Sequence, residues 1–208
     1  MRNTSSTLTL AVDQFHPDPE TVRSAARALK AGGVAIFPTE TVYGIGGDAA
    51  REEVGARIFR IKRRPSSKPL TRLVGAWKVL EEVDWQPNHL RLAQAFWPGS
   101  LTLILRTGKG EKIGYRWPDH PLVMALLEAA GLVLAATSAN LSGRPPVRDG
   151  TEAREIFSGQ VDLILDGGET AGRPSTVVDL TVAPPRLLRP GSLDRERIEN
   201  ILGSKLEE

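Results

Sequence analysis

The sequence predicts an α/β fold in a single domain, and three observations carry that expectation. Its 208 residues suit one ordinary domain at roughly 100 to 200 residues each. An amphipathic helical pattern over 18–32 runs directly into a short apolar segment, Val34 to Phe37, bounded by Gly33 and Pro38, as a helix feeding a buried strand does. Short apolar runs then alternate with segments of helical spacing, and no Pro-, Gly- or Ser-rich stretch is long enough to be an interdomain linker.

The elements follow in order. Asp18 can cap the first helix, Pro19 fits its first position, Val22, Ala25, Ala26 and Leu29 form its apolar stripe, and Gly32 can end it. Val54, Ile58 and Ile61 put a helix on 51–60, and Leu70 to Val74 is a candidate strand. Helical patterns cover 76–83 and 87–96, Leu101 to Leu105 is a strand, 119–130 a helix closed by Gly131, and Leu132 to Ala136 a strand. Short strands at 161–165, 176–180 and 186–188 precede a closing helix at 194–202. The intervening loops at 39–50, 138–150 and 166–175 follow predicted strands, where ligands bind in open α/β sheets.

Composition removes several classes. With no Cys there is no disulfide scaffold, thiolate nucleophile or iron–sulfur cluster, and a reducing, cytoplasmic setting is expected. His16, His89 and His120 have no metal-binding spacing, so no resident metal site is expected. The first fifteen residues lack a signal-type apolar core, and no run of about 18 apolar residues occurs, so no membrane association is expected. A net charge of +2 leaves room only for a local patch.

That patch is Arg57 to Arg72, where Arg57, Arg60, Lys62, Arg63, Arg64, Lys68 and Arg72 meet no acidic residue. Cations at a solvated helix end account for such a run, and so does an anion site. Pro65 pushes Arg64 out of helical geometry. If 62–64 is extended, Lys62 and Arg64 share one side, a point charge beside a fork that suits a polyphosphate or carboxylate. A second constellation, Ala136-Thr-Ser-Ala-Asn-Leu-Ser-Gly143, follows a strand. It reads as a plain turn, or as a site where Ser138 and Asn140 meet phosphate oxygens, ribose hydroxyls or metal-bound water.

A third stretch, Pro38 to Gly47, offers Thr39, Thr41 and Tyr43 beside glycines that permit close approach. Gly44, Gly46 and Ala49 imitate a dinucleotide loop, but six residues separate Gly44 from the strand and a basic run stands where the ribose-binding acid belongs, so a Rossmann dehydrogenase is rejected. No P-loop, H-E-x-x-H, G-x-S-x-G or kinase signature occurs. Arg116 and Arg189 each stand by a proline that fixes the local backbone, and the tryptophans at 77, 85, 97 and 117 are expected in the core rather than on a nucleic-acid surface.

Together GGVAIFPTETVYGIGGDA, IKRRPSSKPL, FWPGSLTLIL, YRWPDHPLV, LAATSANLSGRPP, LILDGG, PSTVVDLT and LLRPGSL resemble the threonylcarbamoyl-AMP synthase family of single-domain, YrdC-like type, in family order from about residue 19 to 193. The resemblance implies a twisted open mixed sheet with flanking helices and a positively charged concavity, in one domain over 1–208 without the C-terminal domain of Sua5-type members. It implies synthesis of L-threonylcarbamoyladenylate and pyrophosphate from L-threonine, bicarbonate and ATP with Mg2+, for the t6A modification of tRNA, with hand-over to a tRNA threonylcarbamoyltransferase.

By motif position, Lys62, Arg64, Ser138 and Asn140 are the implied catalytic set. Arg64, Lys68, Ser138, Asn140, Pro146 and Arg189 are implied ATP contacts, and Thr41, Arg116, Ala136 and Ser175 threonine contacts, with Lys62 serving either ligand. Leu73 departs from a histidine and Ser100 from a proline of the family pattern. A competing expectation is a non-catalytic double-stranded RNA or ribosome-assembly binding protein that uses the same basic cavity, and binding of tRNA or double-stranded RNA is a further partner expectation. Two others are a YciO-like paralogue and the carbamoyl-adenylate former of hydrogenase maturation. The intact Lys62-x-Arg64 and Ser138-x-Asn140 pairs and the free-standing length favour the synthase.

Overall fold

A computed structural model describes residues 6–65 and 68–207. The chain runs β1 (Leu8–Ala11), α1 (Pro19–Lys30), β2 (Ala35–Phe37), β3 (Gly44–Asp48), α2 (Glu52–Lys62), β4 (Thr71–Leu73), a 3-10 turn (Trp77–Leu80), α3 (Pro87–Phe96), β5 (Leu101–Arg106) and β6 (Lys112–Arg116). It continues through α4 (Pro121–Ala130), β7 (Leu134–Ser138), α5 (Gly150–Phe157), β8 (Leu163–Asp166), β9 (Thr176–Asp179), β10 (Arg186–Arg189) and α6 (Arg195–Leu202). The strands form one mixed sheet in the order β1-β8-β2-β3-β7-β4-β6-β5-β9-β10. Among the described residues no helix is long and apolar enough to cross a membrane.

Local chemistry sets the helices. Asp18 accepts the Thr21 amide proton at 2.8 Å and Pro19 opens α1, which buries Val22, Ala25, Ala26 and Leu29. The end of α2 corrects an expectation: 62–64 is not extended. Lys62 is the last helical residue, and Arg63 closes the helix in the left-handed region at φ 50°, the conformation that turns a chain out of a helix. Lys62 and Arg64 are therefore brought together by a helix cap instead of strand alternation. Ser66 and Ser67 of the basic run lie outside the described residues.

Register decides what each face of the sheet meets, since paired residues share a face. On one face α1 and α4 pack Leu29, Leu122 and Leu126 against Phe37, Leu134, Ala136 and Leu73. On the other, α2 and α5 pack Ile58 and Phe157 against Ile36, Ile45 and Ile164. Leu73 pairs with Arg116, and Tyr115 with Leu103, so the core that α3 and α6 build on Tyr115, Leu103 and Val178 lies on the same side as α2 and α5. Four helices thus cover one face completely. Only α1 and α4 cover the other, reaching as far as Leu73 at the end of β4 and leaving the rest of β4 with β6, β5, β9 and β10 open on that side.

The tryptophans gather at one edge of this second core. Trp97 is buried and Trp85 and Trp117 pack against the cluster. Trp77, 42% exposed, places its ring 5.6–6.5 Å from the other three.

Candidate active site

The uncovered half of the sheet forms the floor of a cavity of about 640 Å³, within the usual range for small-molecule sites. Thr71 and Leu73 of β4, Gly114 of β6, Thr102 and Ile104 of β5 and Val177 of β9 line it, all from the face opposite Tyr115 and Leu103. The site therefore lies across strand interiors, while the three loops expected at it also reach its wall through Thr39, Val42 and Tyr43, Ser138, and Pro174 and Ser175. In a mixed sheet the carboxyl ends point both ways, and the missing helices open a face instead.

Charge on the wall is one-sided. Arg64, Lys68, Lys112, Arg116 and Arg189 line the cavity, with Asp179 as the single carboxylate among the described residues. Burial first, then the charges of Arg116 and Arg64, hold the Arg189 guanidinium below its ordinary value, and burial does the same to Arg64. Since arginine keeps its proton, such crowding favours an incoming anion.

The three arginines are held alike. Arg64 donates from Nε to Lys68 O at 2.7 Å and from Nη2 to Pro69 O at 3.1 Å. Arg189 donates from Nε and Nη2 to Ser175 O at 3.1 and 2.8 Å, and from Nη2 to Ser175 Oγ at 3.0 Å. Arg116 donates from Nε to Gly99 O at 3.3 Å and from Nη2 to Thr41 Oγ1 at 3.0 Å, with Glu40 Oε1 at 2.7 Å from the same nitrogen. In each case Nη1 has no partner among the described residues, so each guanidinium is anchored along one edge and retains donors for a ligand.

Of the sequence-predicted site residues, Arg64, Lys68, Arg116, Ala136, Ser138, Ser175 and Arg189 line the cavity. Lys62, Thr41, Asn140 and Pro146 do not reach its wall. Lys62 is 1% exposed, and its ammonium donates to Ser138 O at 2.5 Å, Asn140 O at 2.6 Å and Asn140 Oδ1 at 2.8 Å. An ammonium has three donors, so Lys62 is committed to the turn that carries Ser138. Burial, and secondarily Arg64, pulls its pKa down to about 7.

Asn140 completes that turn. Its Oδ1 accepts from Ser138 Oγ at 2.7 Å, while Nδ2 donates to Leu141 O and Arg144 O. Thr41, 1% exposed, sits under Arg116 and contacts Thr39 Oγ1 at 2.9 Å. Of the two departures, Leu73 lines the floor, and Ser100 accepts the Thr176 amide at 3.0 Å, tying β5 to β9.

Sequence reasoning missed Glu40, Lys112, Thr102 and Asp179. Lys112 and Asp179 were findable from strand alternation, since they share a face with Gly114 and Val177. Glu40 carried no such signal, because it sits in the loop after β2 and its partner Arg116 lies far along the chain on β6.

Fold and site together define an α/β protein with an arginine-lined cavity on an open sheet face. The chain belongs to the Sua5/YciO/YrdC family, whose model, described as "Telomere recombination", matches residues 27–191. It is 41% identical over 194 residues to the threonylcarbamoyl-AMP synthase of Pyrococcus abyssi, covering 88% of this chain and 57% of that protein. It is 40% identical over 202 residues to a putative threonylcarbamoyl-AMP synthase of Mycobacterium tuberculosis, covering 89% and 93%. The crystal structure of P. abyssi Sua5 complexed with L-threonine superposes with a TM-score of 0.92 at 36% identity, over 97% of this chain and 63% of that one. The chain thus spans less than two thirds of the archaeal protein and nearly all of the mycobacterial one.

Proposed function

We propose that this cavity forms L-threonylcarbamoyladenylate from L-threonine, bicarbonate and ATP. The observation that carries the reading is the trio of edge-anchored arginines around a cavity of about 640 Å³. Kinship with the threonylcarbamoyl-AMP synthases and the threonine-bound P. abyssi Sua5 structure support it. Threonine's amine and bicarbonate give a carbamate with loss of water. A carbamate oxygen then forms a bond to the α-phosphorus of ATP while the bond to the bridging oxygen breaks and pyrophosphate leaves.

Both steps crowd negative charge, so positioning and fixed cations are the chief demands. Arg64, Lys68 and Arg189 take the phosphates, with Ser138 presented by the Lys62–Asn140 turn and Pro146 nearby. Arg116 takes the threonine carboxylate, with Ser175 and the Ala136 backbone beside it and Thr41 acting through Arg116. Asp179, whose Oδ1 accepts from Thr181 N and Oγ1 at 2.8 and 2.6 Å, keeps its second oxygen for a ribose hydroxyl.

Among the described residues no group of three or more His, Cys, Asp or Glu side chains can hold a metal. With one wall carboxylate, the donor set suits Mg2+ that arrives on ATP as part of the substrate. The product is labile in water, which fits direct hand-over to a tRNA threonylcarbamoyltransferase for t6A formation.

The test is pyrophosphate release with ATP, Mg2+ and bicarbonate, with and without L-threonine. Threonine-dependent release is expected. Arg116→Ala should raise the threonine KM by about tenfold to a hundredfold with a smaller effect on ATP, and Arg189→Ala the reverse. A folded protein with no threonine-dependent release, which instead binds RNA with steep salt dependence, would sink the reading.

A further inference from the structure

Of the three arginines around the cavity, Arg116 alone has a carboxylate partner among the described residues. Glu40 Oε1 lies 2.7 Å from its Nη2 and also accepts the Asp119 amide at 3.1 Å. One oxygen thus joins three segments: the chain leaving β2, the end of β6, and the approach to α4. Arg116 is 8% exposed and Glu40 20% by side chain, and Glu40 does not line the cavity. A carboxylate so placed reaches no ligand directly. It acts on the one neighbour that does.

With Nε held by Gly99 O and Nη2 by Glu40 and Thr41, the plane of the guanidinium is fixed and Nη1 is the end left toward the cavity. A planar fork recognises a carboxylate only when its orientation is set beforehand. The pairing also offsets part of the charge of Arg116, whereas Arg64 and Arg189 have no carboxylate partner among the described residues.

We propose that Glu40 is a positioning residue for the amino-acid end of the site, orienting Arg116 so that its open edge meets the substrate carboxylate. This rests on the threonine role given to Arg116 above. Glu40 Oε2, buried without a partner among the described residues, agrees with it: one oxygen carries all the contacts, so the position of that oxygen matters more than the capacity of the group.

Two conservative variants separate geometry from charge. Glu40→Asp keeps the charge and withdraws the oxygen by one C–C bond, about 1.5 Å. Glu40→Gln keeps an acceptor oxygen in place and removes the charge. Steady-state pyrophosphate release should show the threonine KM raised about tenfold or more in Glu40→Asp and about threefold or less in Glu40→Gln, with the ATP KM within about twofold in both.

The inference is overturned if the glutamine variant is as impaired as the aspartate one. It is equally overturned if neither moves the threonine KM beyond about twofold, or if the ATP KM rises in step. A thermal midpoint lowered by more than roughly 10 °C in either variant assigns Glu40 to folding instead, and overturns it too. Wild-type protein without threonine-dependent release takes down the assigned reaction and this inference together; every other failure falls on Glu40 alone.

Discussion

Lys62 is buried beneath the site as an ammonium, an environment that carries a cost. Its ammonium is buried with a pKa lowered from 10.5 to about 7. Below about 7 folded and unfolded chains both hold the proton, so the burial cost is present in full. Between about 7 and 10.5 the unfolded chain alone is protonated, so stability rises with pH across that window. Against Lys62→Met, the wild-type urea midpoint should therefore climb between pH 7 and pH 10; parallel midpoints would show that the ammonium is not paying for its burial. The residue type was legible in the sequence, but its direction was not. A left-handed cap at Arg63 is a backbone choice that local propensity disfavours for a non-glycine residue, so alternation aimed Lys62 at the ligand when the helix aims it at the turn.

At the scale of elements, strands with apolar cores and capped helices were readable, and those built on glycine or on long-range pairing were not. β3 is Gly-Ile-Gly-Gly-Asp, a composition that reads as loop. It is a strand because β2 and β7 pair with it on either side, and glycine is required where a Cβ on Gly47 would come within 2.6 Å of Val54 Cγ1 and 2.7 Å of Gly33 O. α5 was missed although Asp149 caps it, accepting from the Glu152 amide, and Ala153 and Phe157 are buried one turn apart. β1 and β6 are short strands whose partners lie far along the chain or across a hairpin.

β6 carries the element-scale prediction. A Cβ on Gly114 would meet Thr71 Oγ1 at 3.5 Å and Thr102 Cγ2 at 3.7 Å, ordinary contacts that β6 can accept. Gly114→Val should fold with a melting temperature close to wild type, while its branched carbons rise from the cavity floor and weaken binding of both substrates by about tenfold or more. Loss of the fold, or unchanged binding by calorimetry, would remove Gly114 from the floor.

For the whole molecule, the decisive feature is the unequal cover on the sheet's two faces. A face left bare of helices loses apolar burial that a ligand can restore in part. At about a hundredfold excess over Kd, a ligand specific to the folded state adds about 2.7 kcal/mol, a rise of roughly 5 to 10 °C in melting temperature for a chain of this size. ATP with threonine should produce such a shift in wild type and a much smaller one in Arg189→Ala; equal shifts in both would place binding elsewhere. This asymmetry was not legible in the sequence, because each strand's pattern says that it has an apolar side without saying which helix covers it.

The place of β1 in the sheet also bears on how the chain is made. Leu8 pairs with Leu163, so β1 leaves the ribosome well before its partner, which is made about 155 residues later, about 8 to 30 s at ordinary rates of synthesis. Until then Leu8 and Leu10 belong to an unpaired strand, and the polar Thr7 and Thr9 that alternate with them limit how well that strand can recruit a stranger.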